Sequence, residues 1–332
     1  MPKRHGNLFD AMFSPDALHA AYLAARRRKR KKAAVAAFER NLGANLQRLH
    51  DDLHAGRYAS QPYMVFEVRE PKPRTIYAPH FRDVVVQHAM YAVLYPIFDA
   101  TFCRESYGCR KGMGTHRASN RAQQFLRQSP EDSFVLQMDI RKFFYRIDRD
   151  ILRRLWARKI KDVRALALLD MFANYPEPSG IPIGNLISQL AALVYLDPLD
   201  QFVKRELKAA RYVRYVDDFI LFGLSRDEAC AAKARIETFL AERLRLELSR
   251  WTIQPVRRGV NFVGFRAWRK TRFVRRHSLH TFSRALRRGN VRSLNSIMGN
   301  ARHSATHAHF CRRIRAERPD LIPILPLYQE TP

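Results

Sequence analysis

The sequence predicts an α+β protein, and three observations point there. Short β-rich apolar runs and longer stretches of helical period are mixed along the chain rather than segregated. Hydrophobic residues make up 46% of the 332 and aromatics 11%, enough for a packed interior. No tandem repeat or low-complexity segment breaks the pattern. The length exceeds the usual size of one compact domain, so two or three subdomains are expected.

Taken in order, the N-terminus Met1-Pro2-Lys3-Arg4-His5 has no following apolar stretch that reads as a secretory signal. The longest apolar run, about ten residues around Ala89 to Phe98, falls short of a membrane span, so a cytoplasmic protein is expected. Phe134 to Met138 reads as a buried strand entered from the turn Ser129-Pro130-Glu131-Asp132-Ser133, and it ends in Asp139. Leu186 to Tyr195 has a helical period after Pro182 and Gly184, so a helix begins near Asn185 or Ser188. Tyr212 to Val216 and Phe219 to Phe222 form a hairpin with Asp217 and Asp218 at its tip. A long helix over Arg226 to Leu244 precedes another hairpin-like segment ending at Asn261-Phe262-Val263-Gly264-Phe265. Helix-like stretches follow around Ser283 to Arg288 and Ala305 to Ile314.

The charge is uneven. Net charge is +29, a self-repelling surplus that an anionic partner would neutralise, and nucleic acid fits a long basic track best. Arg26 to Lys32 is an unbroken run of seven cations, equally readable as a solvated helix face or arm. Arg250 to Ala316 carries seventeen Arg or Lys, five His and no acid, which suits a surface lining a phosphate backbone. Cys103, Cys109, Cys230 and Cys311 lack ligand or redox spacing and are expected as reduced thiols. His303 and His307 are one helical turn apart, with His309 nearby, but no glutamate or cysteine completes a zinc pattern.

Carboxylates at the end of a buried strand and at the tip of an apolar hairpin are expensive to desolvate, so a cation should offset them. Magnesium takes oxygen ligands and is commonly held by one or two carboxylates plus substrate phosphates. Two such ions about 3.5 to 4 Å apart support nucleotidyl transfer. Taken singly, an Asp-Asp turn is ordinary turn chemistry, and Asp139 can merely cap a helix. The flanking residues carry more: Tyr215-Val216-Asp217-Asp218 sits in an apolar hairpin, and Met138-Asp139-Ile140 precedes Phe143-Phe144.

These motifs, in this order from about Glu70 to Phe265, resemble those of reverse transcriptases. The resemblance implies a right-hand polymerase fold with fingers, a palm of ferredoxin-like antiparallel sheet plus helices, and a helical thumb. It implies catalysis by Asp139, Asp217 and Asp218, with two Mg²⁺ (Mn²⁺ in vitro) held by these and Ile140. Lys72 and Arg74 match the basic pair gripping the triphosphate, where charge-assisted contacts would offset charge on the leaving phosphates. Phe144 matches the aromatic gate under the incoming sugar; Ile183, Gln189 and Tyr215 complete the expected dNTP contacts. Asp83 to Gln87 and Ser106-Tyr107-Gly108-Cys109-Arg110 match further motifs. Gly264 and Phe265 match the primer grip, and Arg266, Arg284, Arg287 and Arg288 are expected on primer and template.

The fourth motif departs from the common Pro-Gln-Gly. It reads Pro182-Ile183-Gly184-Asn185-Leu186-Ile187-Ser188-Gln189, a form similar to that of diversity-generating retroelements. In that family the enzyme copies a template-repeat RNA into cDNA with errors at template adenines, and the cDNA replaces a variable repeat. Physically, Ile183 puts a packing aliphatic where an amide would hydrogen-bond, a loss of about 0.5–1.5 kcal/mol in geometric selection. Ile183, Asn185, Ser188 and Gln189 are therefore the expected fidelity residues. Leu193 and Arg250-Trp251 also depart from the common pattern, where asparagine and lysine are usual.

The expected partition is an N-terminal extension with fingers over 1–95, palm over 96–146, further fingers over 147–186, palm with the active hairpin over 187–268, and thumb over 269–332. The residues beyond Phe265 leave room for a thumb alone, so a minimal polymerase is expected, with nicking and integration supplied elsewhere. Expected partners are template RNA, primer, dNTPs and, from the resemblance, a basic helical accessory protein. The alternatives are an ordinary-fidelity prokaryotic reverse transcriptase of intron-derived or antiviral type, and a non-catalytic RNA-binding scaffold.

Overall fold

The computed structural model describes residues 3–69, 73–174 and 176–325. Among these, runs of helices are interspersed with runs of strands, as an α+β fold has them. The strands are β1 (Met64–Val68), β2 (Arg74–Ala78), β3 (Phe134–Ile140), β4 (Tyr212–Tyr215), β5 (Asp218–Leu224), β6 (Leu248–Pro255), β7 (Val260–Phe262), β8 (Phe265–Ala267) and β9 (Arg272–Val274). The chain divides into two compact units, each built from three stretches.

The first unit holds Met1–Arg104, Ile140–Glu206 and Ile236–Ser249. It is mostly helical, with the β1–β2 antiparallel hairpin as its sheet. Two helices, Phe81–Asp99 and Leu186–Gln201, are apolar nearly all round, and such helices must lie at the centre. Amphipathic helices such as Arg149–Ala157 cover them, burying Ile151, Leu152, Leu155 and Trp156.

The start of the chain is stapled to this unit. The His5 amide donates to the Lys159 carbonyl at 2.7 Å, and the Lys161 amide donates to the His5 carbonyl at 2.8 Å. Asp162 caps helix Val163–Ala173 through the Ala165 amide, and its other oxygen accepts from the amides of Leu8 and Phe9 at 2.8 and 3.0 Å. One carboxylate thus satisfies the orphan donors of two helix starts. Burial opposes its ionisation, yet the N–H donors of Phe9, Ala165 and Leu8 together hold its pKa below the ordinary aspartate value. Asp162→Ala should therefore cost about 2 kcal/mol, one cap plus two amides left unmet. Because the folded pKa is depressed, that contribution is complete above about pH 4 and fades as pH falls through the lowered value. Denaturant melts of wild type and variant at pH 7 and at pH 3 check both the size and the narrowing of the gap.

The second unit holds Glu105–Asp139, Leu207–Arg235 and Arg250–Pro332. Its sheet runs in the order β4-β5-β3-β6. Helix Thr115–Gln128 packs Ala118, Ala122, Phe125 and Leu126 against Val135, Val213, Ile220 and Phe222 of that sheet. The small sheet β7-β8-β9 leads into helices Arg276–Arg287, Val291–Ala301 and Thr306–Glu317. Their core centres on Phe282 and Phe310, stacked at 3.8 Å between ring centres.

Two local expectations need correction. Asp218 is the first residue of β5, so the hairpin turn is Val216-Asp217 and holds one acid rather than two. Among the described residues, the C-terminal region has three helices where two shorter segments were expected, because its first helix begins seven residues earlier and Val291–Ala301 follows Gly289 and the capping Asn290. Asp139 stands one residue before the end of β3. Among the described residues, no helix is long and apolar enough to cross a membrane.

Candidate active site

The β3–β5 ladder brings two acids together. Asp139 and Asp218 are directly opposed across the antiparallel pair, and Asp217 precedes Asp218 in the turn. Period-2 alternation puts Gln137 on the same face as Asp139. Gln137 donates through Nε2 to Oδ1 of Asp218 at 3.0 Å and to the Asn261 carbonyl at 2.9 Å. Arg250 of β6 places Nη2 3.4 Å from Oδ2 of Asp139.

Asp218 has its pKa pushed up to about 7, chiefly by burial; the Gln137 hydrogen bond pulls it down, Asp139 pushes it up, Arg275 pulls it down, and Asp217 pushes it up. Arg275 thus offsets the cost of burying this charge only in part. That is the condition a bound divalent cation would relieve. Two carboxylates at one strand end, open to a cavity of about 770 Å³ lined by Gln137, Arg250, Asn261, Arg266 and Arg275, fit a hard cation shared with substrate phosphates. As the side chains stand, no group of three or more His, Cys, Asp or Glu among the described residues is placed to hold a metal ion. Asp217, next to Asp218 in the chain, is near enough to add to the raised pKa of Asp218. Ile140 is 1% exposed, so a role in metal binding falls to its backbone rather than its side chain.

The turn itself is strained. Val216 has φ 57, the left-handed region that a β-branched side chain adopts at a cost of about 1–3 kcal/mol. Tyr215 is half-buried, and burial raises its hydroxyl pKa.

In the first unit, the fourth motif is built by backbone fit. Gly180, at φ +89, lies where an added Cβ would meet the Phe144 carbonyl and Tyr145 Cα at 2.8 Å. Ile181 donates to the Phe144 carbonyl at 2.9 Å. Gly184, at φ +121, leaves its Cβ position 2.9 Å from Ile76 Cγ2 and the Tyr77 carbonyl, while the Tyr77 amide donates to the Ile183 carbonyl at 2.7 Å. Residues 180–184 therefore set both Phe144 and the β1–β2 hairpin, and a glycine is required at each close approach.

Asn185 caps helix Leu186–Gln201, its Oδ1 accepting from the Ser188 amide at 2.6 Å while Nδ2 donates to the Phe172 carbonyl and Tyr63 hydroxyl. Ser188 donates to the Pro182 carbonyl at 2.6 Å, and Gln87 accepts from the Leu186 amide at 2.8 Å. Asn185 and Ser188 are each 1% exposed. Of the expected fidelity residues, these two spend their polar atoms inside the loop and shape it. Ile183 is half-buried and Gln189 exposed, so these two keep access to solvent. Asp83, equally buried, accepts from the Tyr58 hydroxyl and the Gln61 amide and is also a brace.

Lys72 lies outside the described residues. Arg74 is exposed at the start of β2 and lines a cavity of about 460 Å³ with Lys142, Tyr145 and Ser179. Lys142 was not expected; it sits three residues past Asp139 in a left-handed conformation, φ 45, a placement no short motif announces. Phe144 is half-buried, edge-on to Phe143 at 5.4 Å.

Of the expected primer residues, Phe265 is corrected. It is fully buried among Phe282, Leu294 and Phe310, so it anchors the helical core and presents no surface to a strand. Gly264, at φ +91, has open space around it, and its carbonyl accepts from the Arg275 amide at 3.1 Å. Arg266 donates to the Arg258 carbonyl and stacks over Trp268 at 5.0 Å. Arg284, Arg287 and Arg288 are exposed.

Known proteins agree with this architecture. The profile of the family described as reverse transcriptase (RNA-dependent DNA polymerase) matches residues 69–267. The chain is 26% identical over 319 residues to Protein YkfC of Escherichia coli K12, covering 79% of this chain and 82% of that one. It is 25% identical over 278 residues to the group II intron-encoded protein LtrA of Lactococcus lactis subsp. cremoris, and spans 46% of LtrA's length. The fold is like that of a telomerase structure from Candida albicans, with a TM-score of 0.52 at 9% identity, over 80% of this chain and 55% of that one. With its matched segment covering more than half of its length, this chain belongs to the reverse transcriptase family, RNA-directed DNA polymerases of α+β polymerase fold.

Proposed function

We propose that this reverse transcriptase is of the diversity-generating type, copying a template-repeat RNA into cDNA with errors at template adenines for mutagenic retrohoming. The observation that supports it is the fourth motif, where Ile183 stands half-buried on a loop fixed by Gly180, Gly184, Asn185 and Ser188. An aliphatic there packs but cannot donate or accept, so base-pair geometry is checked by one contact fewer.

In this reading Asp139, Asp217 and Asp218, with the Ile140 backbone, would hold two Mg²⁺ or, in vitro, Mn²⁺. The bound ions would activate the attacking hydroxyl and stabilise the leaving pyrophosphate. Arg74, with Lys72 and Lys142, neutralises triphosphate charge, Phe144 bears on the sugar, and Gln189 and Tyr215 border the nucleotide. Gln137 orients the Asp218 carboxylate through its 3.0 Å hydrogen bond. Gly264, Arg266 and the exposed Arg284, Arg287 and Arg288 face primer and template. Fingers, palm and thumb follow the partition at residues 95, 146, 186 and 268. Template RNA, primer and a basic helical accessory protein are the partners, in a cytoplasmic setting.

An ordinary-fidelity intron-type enzyme is the second reading, favoured by the likeness to LtrA and by the burial of Asn185 and Ser188. Sequencing cDNA made on a defined RNA separates the two. Errors concentrated at template adenines, reduced by roughly two- to twelve-fold in Ile183→Gln, are expected from one restored hydrogen bond. A flat error spectrum in wild type supports the second reading.

A further inference from the structure

The strained catalytic turn is held from two sides by residues that none of the site assignments includes. Arg214 of β4 is 1% exposed, and its Nη1 donates to the Val216 carbonyl at 3.0 Å. Its backbone is tied as well: the Arg214 amide donates to the Glu105 carbonyl and its carbonyl accepts from the Tyr107 amide, both at 2.9 Å. Residues 105–107 therefore lie parallel to β4, bridged at Ser106 and Arg214. Glu105 is fixed in turn by Arg121 of helix Thr115–Gln128, with Nε at 3.0 Å, and by the Tyr107 hydroxyl at 3.1 Å. The next residue, Gly108, lies flush against the turn, where a Cβ would come within 2.5 Å of Val216 Cγ2 and 2.8 Å of the Val216 amide nitrogen.

The geometry points to Arg214 and Gly108 as positioning residues for polymerisation, clamping Val216 in its left-handed conformation so that Asp217 and Asp218 keep their aim. This rests on the reading of those aspartates as the catalytic acids. Arg214 reaches the turn from inside its own strand and fixes the carbonyl of the strained residue. Gly108 supplies a flat wall that leaves the Val216 side chain one place to go. A β-branched residue has no intrinsic preference for that conformation, so the surroundings must over-determine it. Neither residue need touch substrate.

The test uses the full chain with Arg214→Lys, Arg214→Met and Gly108→Ala. Five quantities are measured: kcat and KM for dNTP on a primed RNA, the Kd for that template–primer, Mn²⁺ affinity by electron paramagnetic resonance without dNTP, and the thermal midpoint. Expected for Arg214→Met and Gly108→Ala are a kcat loss of ten- to a hundred-fold, Mn²⁺ affinity weakened several-fold, and KM and template–primer Kd within about two-fold. Arg214→Lys keeps a donor and should recover part of kcat. Unchanged kcat and Mn²⁺ affinity in folded Gly108→Ala and Arg214→Lys would overturn the proposal. So would losses of template–primer affinity and thermal midpoint in step with kcat, which assign a general structural role. Should Arg214→Met fail to fold, the other two variants decide. Activity retained in Asp218→Asn overturns the reading of the aspartates instead, so the two failures are told apart.

Discussion

Asp218→Asn should lower polymerisation by at least about a thousand-fold while leaving the folded protein as stable as wild type or more so. A thousand-fold corresponds to about 4 kcal/mol, the scale of charge stabilisation that a divalent ion supplies to a phosphoryl oxygen. The amide keeps the shape and can still bond to Gln137 by turning its oxygen toward Nε2, so geometry is preserved and charge is removed. The stability side has a definite sign. In the folded chain the Asp218 pKa is raised to about 7 by burial, with Asp139 and Asp217 adding to it, against about 3.9 unfolded. A raised carboxylate pKa means the folded state holds the proton longer, so ionisation destabilises the fold progressively from about pH 4 to pH 7 and then levels off. The neutral amide escapes that penalty. Its thermal midpoint should exceed wild type at pH 8 without metal and approach it at pH 4. Steady-state incorporation on a primed RNA, read beside melting curves at the two pH values, checks both. Activity within ten-fold of wild type would remove Asp218 from the catalytic set.

Much of this site was legible in the sequence because its parts are local. Asp139 at a strand end and Asp217-Asp218 between two β-rich runs are each readable from period-2 patterning and a turn, while their grouping as one site followed from the resemblance to reverse transcriptases. The helix after Asn185 was legible for the same reason, a cap followed by a helical period. What the sequence concealed depends on long-range packing. Asn185 and Ser188 stand out in the sequence as fidelity residues, but that the Phe172 and Pro182 carbonyls take their donors is visible only in the fold. Phe265 sits in a motif known for gripping primers, yet its side chain is consumed by the helical core. Arg214 and Gly108 are 106 residues apart, and nothing local in either marks them as two sides of one turn. Gln137 is the miss that period-2 reasoning could have prevented, since it shares a strand face with Asp139.

Template–primer affinity should fall by about a thousand-fold between 50 and 200 mM salt, the loss expected when roughly six phosphates are neutralised. The seventeen Arg or Lys between Arg250 and Ala316 have no intervening acid to pair with them locally, and many are exposed in the structure, Arg284, Arg287, Arg288 and Arg292 among them. Bound counterions released from the nucleic acid drive such association, so each lost contact lowers the slope of log affinity against log salt by about 0.9. Replacing Arg284, Arg287 and Arg288 together by glutamine should flatten that slope by between two and three, and weaken binding nearly equally for unrelated sequences, because phosphate contacts carry no base information. Net charge alone cannot explain such a result if a matched control is made. Neutralising three cations within the Arg27–Lys32 turn, which is exposed between helices Pro15–Arg26 and Ala33–Glu39, changes total charge by the same amount. On a short primed duplex that control should leave the slope near the wild-type value. Equal flattening by both triples would mean that diffuse charge, rather than the acid-free track, holds the nucleic acid.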